Sequence, residues 1–561
     1  MFENVVRFVV LIGALVFVHE LGHFAWAKLF GVKVLKFSLG FGPRLFGWRQ
    51  GETDYCVSLV PLGGFVKMLG EEPGDEVAPE DAQRAFNAQP IWKRFVIVLA
   101  GPAMSLLFPV LLYLVVFLGR TDLTPPVIGT VAAGYPAEGR LLPGDRVTAI
   151  DGEPITSFEE IRAAIAASPS RPLRFTVLRG EESLVVPVTP EALHAEQPLD
   201  VDAVAGFLGV APGFPLPVVG VRSPGTPASI AGLRTFDRVT MYAGNPIRRW
   251  ADLEEALHRS RGATVPLAFL RPQPLRPSAS GGLIDVEVFD PGLAQVTPTP
   301  GTGEVTARTG IESPDLYVAE VEPDSPEYQM GLRRGARVVS LDGVVPASWE
   351  RLRESLTTGP ARLRTLRFVH DGRDSEGGFT VSPGWFTDEF GQRVSRLRPA
   401  IHHWVPIEAE APIPNPNPLR YALGNALRHT AEAVGFLSTG IVRVLQGRVP
   451  VSAVGGPIMI YDVSRRTAAD GFMTFLRLMA LVSINLGLIN LLPIPTLDGG
   501  HLLFLGAEGV LRRPAPLWVR QTASVLGLCL VGAVIVIAFR NDVARRLDPG
   551  DAPPAATTSA R

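Results

Sequence analysis

Cysteine is scarce in these 561 residues: Cys56 and Cys529 stand far apart, each in an apolar neighbourhood. That excludes a disulfide framework and any CxxC-type zinc site, so a bound metal must take histidine and carboxylate donors. An excess of one charge is missing as well, because 53 Lys and Arg against 55 Asp and Glu leave a net charge of -2. Such a chain has no long-range field to attract nucleic acid or an acidic polymer, and no nucleic-acid partner is expected. Charged residues of both signs make up only 19%, below the average for soluble globular chains, and there are only nine histidines. What is plentiful is glycine, proline and long uncharged apolar sequence.

Four apolar segments have spanning length: residues 8–30, 95–118, 472–492 and 517–539. A cleaved signal peptide would need a small-residue cleavage site after the first run. This run leads instead into the charged string HELGH, so it is expected to stay as a membrane helix. The expected fold is a multi-pass α-helical membrane protein with two spans at each end of the chain and the lipid bilayer as its surroundings. Between the second and third spans lies a polar, Gly- and Pro-punctuated insert of α+β character.

The insert repeats itself. Similar stretches begin at Pro126, Pro217 and Leu316 and align with almost no gaps. Each reads as a short strand, a turn containing Pro136, Pro227 or Pro326, and a strand at Arg146, Arg238 or Arg337. A turn follows (Asp151-Gly152, Gly244-Asn245, Asp342-Gly343), then an amphipathic helix from about Phe158, Trp250 or Trp349. This order resembles circularly permuted bacterial PDZ domains, which take a peptide as an added strand. The bland alternative is a spacer of three small domains without ligands. The second copy departs furthest, with Phe236-Asp237 in place of Gly-Asp. The expected division is a first membrane half (1–120), repeats at 121–200, 201–297 and 303–400, a Pro-rich linker (401–420), a second membrane half with an amphipathic segment (421–547), and a disordered tail (548–561). Residues 272–282 read as a long hairpin loop, 296–303 as a separator, and 411–418, with proline at every second position from Pro412, as an extended spacer.

The most informative string is His19-Glu20-Leu21-Gly22-His23 in the first span. Positions i and i+4 share a helix face, so both imidazoles reach one metal ion while Glu20 lies beside them to activate water. Ionisable groups inside a span are costly, so three in five residues need a compensating role. A hydrolytic zinc site takes a third protein ligand and leaves a position for water. Asp498 follows an apolar run broken by Pro493 and Pro495, and His501 is its rival.

HExxH in a first span, paired with Asn490-x-x-Pro493-x-Pro495-x-x-Asp498-Gly499 in a later one, resembles the site-2 protease family of intramembrane zinc metalloproteases. The insert narrows the resemblance to the bacterial regulator-of-sigma-E branch, a stress-response group. Matching stretches also include Gly40-Phe41-Gly42-Pro43, Pro61-Leu62-Gly63-Gly64-Phe65, Ala100-Gly101-Pro102 and Gly456-Pro457. The resemblance implies one Zn2+ held by His19, His23 and Asp498, with Glu20 as general base. It implies a membrane-associated β-hairpin over residues 34–69 that pairs with unwound substrate, with Gly63, Gly64, Phe65, Asn490, Pro493 and Pro495 as substrate-binding residues. For Asn490 a helix-to-helix hydrogen bond is the equal alternative. The implied substrates are single-span proteins, anti-sigma factors trimmed outside the membrane and remnant signal peptides, with the repeats as a size filter and peptide contact. Ser105 stands where the family often has Asn, and three repeats stand where its best-known members have two.

The resemblance also places the protein in the bacterial inner membrane, with its repeats periplasmic and its active site toward the cytoplasm. Nine Lys or Arg from Lys28 to Arg94, with Arg512, Arg513 and Arg520 before the last span, agree with that orientation. Two other functions fit parts of the sequence. A membrane-anchored PDZ scaffold without catalysis would be expected to carry a broken motif. A metal transporter would need ligands along several helices.

Overall fold

The computed structural model describes residues 2–71, 77–197, 201–260, 262–273, 288–301, 303–387, 393–447, 455–469 and 471–547. The tail 548–561 and most of the 272–282 loop lie outside the described residues. Among the described residues four helices are long and apolar enough to cross a membrane. They are α1 (Phe2–Leu29), α2 (Ile91–Leu118), and two in the second half introduced below. α1 and α2 cross at small residues. A Cβ on Gly22 would lie 2.3 Å from the Ala100 carbonyl oxygen, so side chains larger than hydrogen would push the helices apart.

Between them the chain forms β1 (Val34–Gln50) and β2 (Thr53–Met68). The expected simple hairpin is wider than two strands. Residues 36–39 pair with 54–57 on one side and 34–39 with 64–68 on the other, while 44–50 return along 53–58. Both strands therefore bend, at Gly40 and Gly42 (φ +90° and +86°) and at Gly63 (φ +122°), conformations that suit glycine. The result is three ladders among four strand segments built from two strands.

The insert contains three units, each with its own core. The first packs Ile128, Val147, Ile161, Phe175 and Leu208 beneath helix α3 (Phe158–Ala166). The second packs Val219, Val239, Leu253, Leu267 and Ile311 beneath α4 (Trp250–Arg259). The third packs Val318, Val338, Leu352, Phe368 and Ile401 beneath α5 (Trp349–Thr357). In each unit the last short strand returns to pair with the first: 210–211 with 130–131, 311–312 with 220–221, and 401–402 with 320–321. This shifts the expected boundaries. The first unit runs past 200 to Ala211, and the second past 297 to Glu312, because the strand that closes each core comes after the apparent end of its repeat. The stretch 296–303 accordingly lies within the second unit.

The second unit also corrects a turn. The two consecutive left-handed residues are Ala243 and Gly244, matching Asp151-Gly152 and Asp342-Gly343, so the turn sits one residue before Gly244-Asn245. Phe236 takes φ +77° where the other units have Gly144 and Gly335. Its ring is buried with Leu216, Tyr317 and Ala319 at the seam with the third unit, and that packing offsets the backbone strain. Asp237 keeps its role despite the substitution beside it: it receives Arg271 through two bonds of 2.8 and 2.7 Å, as Asp145 receives Arg179.

The proline-rich linker is zipped to the insert along part of its length rather than standing free as a spacer. Ile407–Ala409 pair with Gly213–Pro215, and Ile413–Pro414 pair with Asp122–Leu123 at the exit from α2. The chain continues into α6 (Pro418–Leu445), α7 (Pro457–Ala469), α8 (Phe472–Asn490), α9 (Asp498–Leu511) and α10 (Leu517–Leu547). The spans α8 and α10 complete the four. Leu11 and Leu15 of α1 meet Leu112 and Val116 of α2 and Phe475 and Met479 of α8 in one apolar cluster.

His403, just before the zipped linker, stacks on Trp349 with ring centroids 5.0 Å apart. Burial holds its imidazole down to about 4, against a weaker upward pull from Glu350. An imidazole depressed in the folded state is free of penalty above its unfolded value of about 6.5. Its contribution is lost as pH falls through the window from about 6.5 to about 4, approaching about 3 kcal/mol. Thermal unfolding of the full chain in detergent should therefore steepen with acidification over that window, and His403→Phe should flatten the dependence. An unchanged slope in the variant would remove His403 as its source.

Candidate metal centre and active site

His19 and His23 lie one helical turn apart on α1, and both are buried. Their partner comes from the other end of the chain. α8 stops at Asn490, residues 491–497 leave the helix, and Asp498 opens α9. That break folds back so tightly that Cβ atoms on Gly499 and Gly500 would sit 2.2 Å from the Leu492 oxygen and 2.3 Å from the Ile494 oxygen. Two glycines after Asp498 let the turn close and bring its carboxylate to α1.

Asp498 Oδ2 is 3.1 Å from His19 Nε2 and 3.6 Å from His23 Nε2, and the two Nε2 atoms are 3.4 Å apart. Donors about 2.0–2.1 Å from a tetrahedral zinc lie roughly 3.3 Å from one another, so this donor set fits the ion. Among the described residues this is the cluster of three potential ligands whose atoms converge. His501 lines the same cavity without joining it.

Both rings are held from behind. His23 Nδ1 donates to the Ile97 carbonyl oxygen at 2.9 Å. A carbonyl only accepts, so Nδ1 carries the proton and Nε2 presents a bare lone pair to the cluster. His19 Nδ1 lies 3.0 Å from Ser105 Oγ, and Ser483 Oγ donates to the Ser105 carbonyl oxygen at 2.7 Å. Ser105 stood out in the sequence only as a departure from a pattern, and Ile97 had no signal at all, since its backbone makes the contact. Gly101 provides the room: a Cβ there would lie 2.2 Å from His23 Nε2.

A cavity of about 590 Å³ opens onto the cluster, lined by Glu20, Gly63, Gly64, Phe65, Asn490 and Pro495 among others. The β2 segment runs against α1 here, since a Cβ on Gly64 would meet Ser38, Val16 and the Glu20 side chain. Asn490 Nδ2 is 3.4 Å from His19 Nε2. Pro493 is exposed and outside the lining, so its place is in breaking the helix rather than in the cavity wall. Sequence reasoning missed one part of the wall: Arg94 of α2 pairs with buried Glu508 of α9 at 2.7 Å, with Arg520 of α10 3.6 Å away. Residues so distant in sequence carry no shared pattern.

The profile of peptidase family M50 matches residues 7–534. The chain belongs to peptidase family M50. It is a zinc metalloprotease of the site-2 type and a multi-pass membrane protein. A candidate zinc metalloprotease of Neisseria meningitidis is 28% identical over 560 residues, covering 97% of this chain and 100% of the relative. A second, from Vibrio cholerae, is 27% identical over 556 residues, covering 97% and 98%. The regulator of sigma-E protease RseP of Escherichia coli is 27% identical over 559 residues, again covering 97% and 98%. With these relatives, the M50 chain is a protease of regulated intramembrane proteolysis that uses zinc.

Proposed function

We propose that this peptidase hydrolyses peptide bonds within or near the transmembrane segments of single-span proteins, using one zinc held by His19, His23 and Asp498. The observation that carries this reading is the convergence of those three donors beside Glu20, in a cavity at a helix of spanning length. Held by His19, His23 and Asp498, zinc would supply Lewis acidity, making a water more acidic and a carbonyl more electrophilic at this cavity. Glu20 takes the proton from the attacking water and delivers it to the leaving amine nitrogen. Ile97 and Ser105 keep the two imidazoles aimed. The strand segment at Gly63, Gly64 and Phe65, which lines the cavity, receives substrate backbone as an added strand, and Asn490 holds its carbonyl. Pro495 shapes the same wall.

The three units of the insert are PDZ-like and lie on the periplasmic side of an inner membrane, with the active site toward the cytoplasm. They admit substrates already trimmed outside the membrane, of the anti-sigma-factor or remnant-signal-peptide kind. The bilayer and those substrates are the partners. The competing reading is a PDZ scaffold without catalysis.

The test is cleavage of a single-span substrate by the purified chain, with bound metal quantified, before and after chelation. One zinc per chain is expected, with cleavage lost on chelation and restored by zinc. A chain that holds zinc and cuts neither full-length nor trimmed substrate is a scaffold.

A further inference from the structure

α2 supplies no donor to the cluster, yet both histidines are located by it. His23 donates to the Ile97 carbonyl oxygen, His19 meets Ser105, and Gly101 makes room for the His23 ring. Residues 97, 101 and 105 fall four apart and share one stripe of the helix. Arg94, three residues earlier, continues that stripe toward the N-terminus of α2. Its guanidinium reaches α9, whose first residue is Asp498.

The contact is a fork. Arg94 Nη2 donates to Glu508 Oε1 at 2.7 Å and Nη1 to Oε2 at 3.3 Å, while Nε donates to the Gln89 carbonyl oxygen at 3.1 Å. All three nitrogens of the guanidinium are engaged, and the two side chains are only 12% and 11% exposed. Arg520 of α10 stands 3.6 Å from Glu508, beyond a hydrogen bond. α9 has little else to hold it. After Gly499 and Gly500 at the break, its buried residues are Leu505 and Glu508. Glu508 lies about 15 Å along the axis from Asp498, so the helix is fixed at the break and again at the fork. A buried ion pair adds little net stability over an apolar pair of the same size, and its value here is geometric.

We propose that Arg94 is a positioning residue for the metal centre: its fork on Glu508 locks α9 against α2 and thereby holds the Asp498 carboxylate opposite His19 and His23. Because Asp498 opens α9, its side chain turns with the helix axis. A ligand set works within about 0.5 Å and 10–20° of its geometry, so a small tilt of α9 takes one donor of the three out of place. α2 is then the common ruler for all three ligands, two through contacts with the imidazoles and the third through α9. The proposal rests on the zinc reading above and adds a residue outside the donor set that governs it.

The test is the zinc affinity of the full-length chain in detergent, by competition with a chelator, together with the visible absorption of the Co2+-loaded chain, which reports donor geometry. Hydrogen exchange at 498–505 in the metal-free chain reads the hold on α9 directly. Arg94→Glu should lower zinc affinity about 10–100-fold, alter the Co2+ spectrum and speed exchange. Combining Arg94→Glu with Glu508→Arg should restore all three, since opposite charges face each other again. Arg94→Lys should fall between, because an ammonium cannot grip both carboxylate oxygens. Arg520→Gln removes a charge near the same carboxylate without touching the fork, and should leave affinity unchanged. Affinity unchanged in Arg94→Glu, or lowered equally in Arg520→Gln, overturns the proposal, and a loss that the charge swap does not reverse assigns Arg94 a packing role instead. Should Arg94→Glu fail to fold, unchanged affinity in Arg94→Lys overturns it as well. A wild-type chain that binds no zinc is a separate result, which removes the reading of the donor cluster beneath the proposal.

Discussion

Glu20→Gln is expected to keep its zinc and to lose cleavage by about 10²–10⁴-fold. Glutamine preserves the size of the side chain and its position beside His19 and His23, so nothing in the donor cluster changes. It cannot accept the proton of the attacking water, and so cannot pass one to the leaving nitrogen. The loss corresponds to roughly 3–5 kcal/mol of transition-state stabilisation, and it should fall on kcat rather than KM because Glu20 acts on the reacting atoms. The measurement is single-turnover cleavage with metal content determined on the same sample. Zinc retained with activity undiminished would transfer the base to another residue of the cavity, of which His501 is the nearest in chemistry.

Gly101→Ala is expected to disable the centre without touching a ligand. The new methyl would sit 2.2 Å from His23 Nε2 and 2.5 Å from Cε1, far inside van der Waals contact, on a helix too well packed to yield. Either the imidazole leaves its bond to Ile97 or α2 moves off α1, and in both cases the nitrogen that faces Asp498 is displaced. Losing the orientation of one ligand lowers metal affinity by about 10–100-fold, with overpacking adding about 1–3 kcal/mol of destabilisation. A competition titration with a zinc chelator reads the first effect. Gly13→Ala in α1 is the control: a Cβ there meets nothing within 4 Å, and zinc affinity should not change. Equal affinity in Gly101→Ala would mean that the helices part without cost, contrary to the packing at Gly22.

Much of the site was legible because its chemistry is local. HExxH places two donors four residues apart on one helix with an acid beside the first, and the spacing alone states the geometry. Asp498 was legible in a weaker sense, as a carboxylate after a Pro-broken span, with His501 left as a rival. The backbone decided between them, since a turn packed against Gly499 and Gly500 carries Asp498 rather than His501 to the imidazoles. Ser105 and Ile97 could not be weighted from sequence. Their contact with histidine depends on how α2 crosses α1, and one of the two acts through a carbonyl that every residue possesses.

The insert shows the same division. Its three repeats are visible because each needs the same alternation of turn and strand to build a core. Their ends are not, because the closing strands at 210–211, 311–312 and 401–402 are too short to carry a pattern and gain meaning only from the strand they join. The bent sheet behind the active site was read as a hairpin for a related reason. Alternation reports a strand, while the folding of that strand upon itself depends on which glycines take positive φ.

By itself, then, the sequence determined the four spans, the repeated insert, the chemical class of the donors and the helix that carries two of them. These follow from hydropathy, periodicity and spacing, which act over a few turns of chain. Tertiary structure alone decided the groups that aim the two histidines, the width of the sheet and the short strands that close each of the three units. Those depend on contacts between residues up to several hundred positions apart, where packing and main-chain hydrogen bonds choose among partners that the local pattern leaves equal.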